Sequence, residues 1–269
     1  MTTDLVPDEL WERIVPLLPK RPARRKRHPG RLLAPDRVAL AGIIYVLRKG
    51  VAWRDVPSEV VGCSGGTAWR RLRDWTEAGV WPRLHEALLT ELRAAGSLDI
   101  DDAAIDGSHI RALKRGAHVG PSPVDRGRPG SKHHVFVDRL GTPLAVSLTG
   151  GNRHDVTQLI PLLDAIPRIR GRRGRPRNRP KRLFADRGYD YDKYRRLLRQ
   201  RGIKPLIARR GVVHGSGLGR TRWVVERTFA WLHQFKRLRI RYERRADLHQ
   251  GLLELACSII CLRRLRRSF

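Results

Sequence analysis

Three acidic residues stand at positions where they could do chemistry: Asp106, Asp186 and Glu226. Asp106 closes the apolar run of "AAIDGSHI", and Asp186 closes "RLFAD". Glu226 lies on "RTRWVVERTFAWLHQF", whose Val225, Phe229 and Leu232 fall at i, i+4 and i+7 and mark one apolar helix face. Carboxylates at the ends of adjacent strands of an open sheet project into a common crevice, and a helix across that crevice can add a third. Three carboxylates at one point repel unless a cation intervenes, and hard oxygen ligands suit Mg2+ or Mn2+. Two such ions activate a water or a 3′-hydroxyl and stabilise the leaving oxygen of a phosphodiester. The competing account of Asp186 is an ion pair with Arg182 or Arg187, since ion pairs are far commoner than metal sites.

The charge balance names the partner class. The chain has 269 residues, 56 Lys and Arg against 26 Asp and Glu, and a formal net charge of +30. Such a charge repels itself unless a polyanion offsets it, and nucleic acid does so with release of counterions. From Arg168 to Arg182 there are nine Arg or Lys residues and no acid, immediately before Asp186. This stretch is expected to grip DNA backbone, with Arg173 and Arg175 as named contacts. The tetrapeptide "RGRP" occurs at 126–129 and again at 173–176, where Arg beside Gly could enter a minor groove or simply meet phosphate.

The elements that must position these residues change character along the chain. Residues 1–96 read as helical: Leu10 and Ile14 on a first helix, then Leu40, Ile43, Ile44 and Leu47 at i, i+3, i+4, i+7 of a stronger one. "GCSGG" at 62–66 reads as a turn with Thr67 as N-cap. Behind it "AWRRLRDW" turns Trp69, Leu72 and Trp75 inward and Arg70, Arg71 and Arg73 outward. Helix, Gly-rich turn and Arg-studded helix is the pattern of a helix-turn-helix or of a small bundle with a basic face. A helix over about 82–95 ends at Gly96, the expected boundary.

Residues 97–269 read as strand, hairpin about Leu140-Gly141-Thr142, helix, strand, helix, strand and helix. "GVVHGSGLG" is expected to be a flexible loop. The last helix, from about Asp247, carries an apolar stripe of Leu248, Leu252, Leu255, Ile259 and Leu262, suited to the core or to an interface. The fold class is α/β: a mixed sheet flanked by helices, preceded by a small all-α region.

Other residues carry less. Cys63, Cys257 and Cys261 are too few for a disulfide framework, which points to a reducing interior, and the i, i+4 pair lacks two further zinc ligands. No segment reads as a signal core or a membrane span. The expected location is therefore the bacterial cytoplasm, in association with the nucleoid. His133-His134 alternates into a strand as structure, Asp155 after His154 suits a helix cap, and His109 lies near Asp106.

The segments "AIDGSHIRA", "GSKHHVFVDRLGTPLAVSLTGGNRHD", "LFADRGYDYDKYRRLL" and "RWVVERTFAWLHQFKRLRIRYERRAD" resemble the DDE transposases of bacterial insertion sequences, in the group typified by insertion sequences four and five. "LWERIVPLLP", "AGIIYVLRKGVAWRDVP" and "TAWRRLRDWTEAGVW" resemble the helical DNA-binding leader of the same proteins, so the likeness spans nearly the whole chain in order. It implies an RNase H-like catalytic fold, Asp106, Asp186 and Glu226 as the metal-binding triad, and two Mg2+ ions for which Mn2+ can substitute. It further implies double-stranded DNA as partner, cleavage at terminal inverted repeats followed by strand transfer of the 3′-hydroxyl ends, and a homodimer that synapses both ends. The family signature places Tyr, Arg, Glu and Lys about the last carboxylate. Here Arg222 and Glu226 fit, Gly219 replaces the Tyr and His233 the Lys, while Lys236 lies about one helical turn further on. The rival expectations are a non-catalytic, domesticated DNA-binding relative and a nuclease that cuts without joining.

Overall fold

The computed structural model describes residues 5–20, 32–211 and 219–266, the side chains of 219–222 excepted. The basic stretch 21–31, most of the loop expected after Gly211, and the side chain of Arg222 lie outside the described residues.

The helical part begins with α1 (Asp8–Ile14), which buries Leu10 and Ile14 and tightens into a 3-10 turn over Val15–Leu17. Helix α2 (Asp36–Lys49) buries the apolar face expected of it. A short α3 (Ser58–Val61) leads to α4 (Gly65–Glu77), which packs against α2. The N-cap of α4 is Ser64, whose hydroxyl accepts from Thr67 N at 3.3 Å, so the helix starts inside the Gly-rich turn and not at Thr67. Helix α5 (Val80–Ala94) completes this part.

The sheet then forms from β1 (Asp102–Ala112), β2 (Gly120–Pro121), β3 (Pro129–Asp138) and β4 (Pro143–Gly150), followed by β5 (Arg182–Ala185), β6 (Lys204–Ile207) and β7 (Ile240–Arg241). The path through it runs β2-β3-β1-β5-β6, with β4 on β3 and β7 on β1. Strands β1, β3 and β4 are antiparallel, while β5 and β6 run parallel to β1 and to each other. Three antiparallel strands continued by two parallel ones is the RNase H-like arrangement. Helix α6 (Leu159–Asp164) follows β4, and α7 (Asp192–Gln200) makes the crossover from β5 to β6. Helix α8 (Gly219–His233) packs on β1, β3 and β5.

Helix α9 (Ala246–Leu265) places its apolar stripe in the core. It packs on α5 and α4 of the N-terminal part as well as on β4 and α8. One hydrophobic cluster runs from Val6 through the sheet to Leu265. At the α5–α9 contact a side chain on Gly251 would lie 2.7 Å from Thr76 Oγ1 and 2.8 Å from the Trp81 ring, so only glycine admits this approach. No helix among the described residues is long and apolar enough to cross a membrane.

Candidate active site on the central strands

Asp106 is not at a strand end as the sequence suggested. It is the fifth residue of the eleven in β1, which continues to Ala112 and is bordered there by β7. Its position against β5 nevertheless matters. Ala104 pairs with Phe184 in the parallel register, so Asp106 and Asp186 each stand two residues past a paired position on neighbouring strands. Asp186 keeps an extended backbone (φ −80°, ψ −178°), which continues the geometry of β5. Adjacent strands lie about 4.8 Å apart, and paired residues share a face, so the register sets the two carboxylates side by side.

Both aspartates are half-buried, and both have one oxygen engaged by backbone. Gly107 N donates to Asp106 Oδ1 at 2.8 Å, and Gly188 N donates to Asp186 Oδ1 at 2.7 Å. Asp106 also has a further interaction in the structure. The turn after Asp186 is fixed by a pair the sequence reading missed: Asp190 and Arg195 meet at 2.6 Å, with side chains only 7% and 5% exposed. Arg195 also donates to Ile207 O, tying the turn to β6. Arg182, one of the two partners considered for Asp186, instead pairs with Asp102.

The face of β1 and β3 that carries Asp106 also carries His133, level with Ser108; α8 packs on it, and α9, which packs on β4, brings His249 to His133. His133 Nε2 meets His249 Nε2 at 2.8 Å, His249 Nδ1 meets Glu243 Oε2 at 3.3 Å, and Glu243 Oε1 takes two N–H donors from Arg237 at 2.7 and 2.9 Å. Burial, reinforced by the neighbouring His249, holds His133 well below the usual histidine range. Burial alone would raise Glu243, yet hydrogen bonding from His249 and the charge of Arg237 bring it down to about 2. His133 is thus structural, as expected.

The opposite face carries Gly107, Lys132 and His134. Lys132 Nζ donates to both oxygens of Asp155 at 3.0 and 3.1 Å, so Asp155 holds a buried lysine and is not the helix cap that the sequence suggested. A side chain at Gly107 would come within 2.7 Å of Asp155 Oδ1, which explains the glycine next to Asp106. His109 is half-buried and meets Ser122 Oγ at 3.2 Å through Nδ1, on this face and not beside Asp106.

Glu226 is exposed on α8, beside the buried Val225. Among the described residues no three His, Cys, Asp or Glu side chains gather closely enough to hold a metal ion. The donor chemistry and register of Asp106 and Asp186 fit a hard divalent cation, and Glu226 is not gathered with them. Lys236 is not one turn further along the same helix. Helix α8 ends at His233, and Lys236 begins a separate 3-10 turn, Lys236–Leu238, that rests against Gly50. His233 is half-buried, and burial, aided by Arg239, lowers its pKa, so at neutral pH it does not supply the cation of a Lys.

The basic side chains divide sharply. Arg70 is exposed and has no acidic partner among the described residues. Arg71 does not point outward: it is 17% exposed and pairs with Asp36 at 3.0 Å and Asp74 at 3.6 Å. Arg73 pairs with Asp74 at 2.8 Å and lies over the Trp69 ring. In the stretch 168–182, Arg177 and Lys181 are held by Asp101 at 2.6 and 2.8 Å and Arg182 by Asp102, whereas Arg173 and Arg175 are exposed and meet no acid among the described residues.

Comparison with known proteins identifies the family. The family described as "Transposase DDE domain" matches residues 98–261, and that described as "Putative transposase of IS4/5 family" matches residues 6–85. A Burkholderia cepacia protein described as "Putative transposase for insertion sequence element IS402" is 64% identical over 150 residues, covering 56% of this chain and 71% of the relative. An IS402 protein of 16.2 kDa from the same organism is 53% identical over 124 residues, 46% of this chain and 84% of the relative. Among solved structures, the Mos1 strand transfer complex aligns over 93% of this chain and 81% of its own at 11% identity, with a TM-score of only 0.33.

Proposed function

Because this chain belongs to the insertion-sequence transposases with a DDE domain, a family that works with divalent metal ions, we propose that Asp106 and Asp186 are its first two metal ligands and that Glu226 joins them when metal and DNA bind. The observation that carries this is the register of β1 and β5, which sets the two aspartates level on adjacent parallel strands. The metal is Mg2+, two ions, with Mn2+ able to substitute. Bound there, it supplies Lewis-acid activation of a water or 3′-hydroxyl and stabilisation of the leaving oxygen.

The chain's own residues do the rest. The backbone donors Gly107 N and Gly188 N each hold one oxygen of an aspartate and so fix the orientation of both carboxylates. The Asp190–Arg195 pair keeps the turn behind Asp186 from yielding. Arg173 and Arg175 grip DNA backbone, Arg222 contacts phosphate or orients Glu226, and Arg70 is the member of its helix best exposed to reach the terminal repeats. Residues 1–96 form the end-binding part and 97–269 the catalytic part. The substrate is double-stranded DNA at the element's ends and at a target, synapsed by a homodimer in the cytoplasm at the nucleoid.

The test is incubation of the full chain with its element's own ends, Mg2+ and a target plasmid, followed by sequencing of the junctions. Strand-transfer products that disappear in Asp186→Asn support the reading. Nicking that survives Asp186→Asn overturns the catalytic assignment, and cleavage without joined product leaves the nuclease reading.

A further inference from the structure

At the seam between the N-terminal helices and the sheet lies a cleft of about 560 Å3 that the catalytic reading does not use. Three aromatic rings line it, each half-buried: Trp53 from the turn after α2, Trp69 from α4, and Tyr242 from the residue after β7. Its cations include Arg54, Lys114 and Arg244, all exposed. Glu243 is the one acid in the lining among the described residues, and Arg237 and His249 engage it. A fourth rim cation, Arg245, is neutralised by Asp247 and by Glu77 at 2.8 Å. Lys114 and Arg244 have no acidic partner among the described residues, and Arg54 has only its neighbour Asp55 at 3.5 Å.

The cleft therefore combines flat π-faces with uncompensated positive charge. Guanidinium groups already lie against these rings, Arg237 at 5.8 Å from the Trp53 centroid and 4.6 Å from that of Tyr242, and Arg73 at 5.7 Å from that of Trp69. A ligand that satisfies both features has a planar face and an anionic group, which describes a nucleotide. In an intact duplex the bases are stacked on one another and unavailable, so the nucleotide must be unpaired.

We propose that this cleft takes one unstacked nucleotide of the DNA substrate, its base against Trp53 and Trp69 and its phosphate on Lys114 and Arg244. The proposal rests on the reading above that DNA is the substrate. It adds a contact that both parts of the chain build together.

The experiment measures binding of the full chain, without metal, to a fully paired labelled duplex and to the same duplex carrying a single-nucleotide bulge, at one fixed salt concentration. Stacking on an aromatic side chain predicts about tenfold tighter binding of the bulged duplex. Trp53→Ala and Lys114→Glu should each bring the ratio of the two affinities to within about twofold, whatever they do to overall affinity. Lys114 is exposed and outside the core, so its variant carries the test if thermal melting shows Trp53→Ala to be unfolded. Equal affinities in the wild type, or a preference that survives both variants, overturn the proposal. A chain that cleaves its ends with Mg2+ but shows no bulge preference refutes the cleft alone. One that prefers the bulge yet never cleaves refutes the catalytic reading alone.

Discussion

Replacing Glu243 by Gln should loosen the seam on which both parts of the molecule meet. Glu243 and Arg237 are 3% and 5% exposed and meet at 2.7 Å, and Arg237 also donates to Val51 O, 186 residues away in the N-terminal part. The Glu243 carboxyl is held at about 2 against an ordinary 4.5. That difference, at 1.36 kcal/mol per unit, corresponds to about 3 kcal/mol of stability, in line with the roughly 3–5 kcal/mol lost when one partner of a buried pair is removed. Because the folded pKa is depressed, this stability is fully present above pH 4.5 and is lost as pH falls toward about 2. Urea unfolding of wild type and Glu243→Gln should therefore differ by about 3 kcal/mol at pH 7, by the same amount at pH 5.5, and by progressively less below pH 4.5. A gap under about 1 kcal/mol at pH 7, the value of a mere surface pair, or a gap that widens on acidification, would refute the reasoning.

Asp106→Asn and Asp186→Asn should each reduce Mg2+-dependent strand transfer to background while leaving the melting temperature within a few degrees, read by junction sequencing and circular dichroism. Arg70→Ala should weaken DNA binding without loss of stability and lower the salt slope of log K by about 0.9 per phosphate contact removed. Arg71→Ala should instead cost stability, because its partners Asp36 and Asp74 are within the fold, and denaturant titration separates the two outcomes. Burial raises Glu254 to about 6, with Gln250 its only opposing hydrogen bond, so its charge costs stability as pH rises from 4.5 through about 6. Glu254→Gln should melt higher at pH 7.5, by about 2 kcal/mol in stability, and match the wild type at pH 4.5. Gly251→Ala should destabilise by about 1–3 kcal/mol through its clash with Thr76 and Trp81, measurable by urea unfolding.

Much of the element order was legible because the relevant signals are local. The stripe of Val225, Phe229 and Leu232 and the long stripe of the last helix are periodic within one segment, and both proved buried. The apolar runs that end in Asp186 and surround Asp106 identified the strands. What could not be read are features set by partners far along the chain. Strand β7 is two residues long and leaves no pattern, yet it borders the far end of β1 beyond Asp106. Arg71 looked solvent-facing because Asp36 is 35 residues away, and Asp155 looked like a cap because Lys132 is 23 residues away. The basic stretch before Asp186 seemed free of acids, but Asp101 and Asp102, 80 residues upstream of Lys181 and Arg182, claim part of it. Arg173 and Arg175 are among the exposed arginines of the stretch that meet no acid among the described residues.

Helix α9 has a consequence for the order in which this molecule can be made. The surface that receives α5, with Gly251 opened for Trp81, lies more than 150 residues later in the chain than α5 itself. As the chain leaves the ribosome, its first helices can pack on one another, α2 on α4 and α1 on α5, but the face of α5 that α9 covers stays bare until residues 246–265 emerge. Synthesis halted upstream of α9 leaves fragments that keep their positive charge but have no complete core. The core that joins the two parts is therefore completed only by the last helix of the chain.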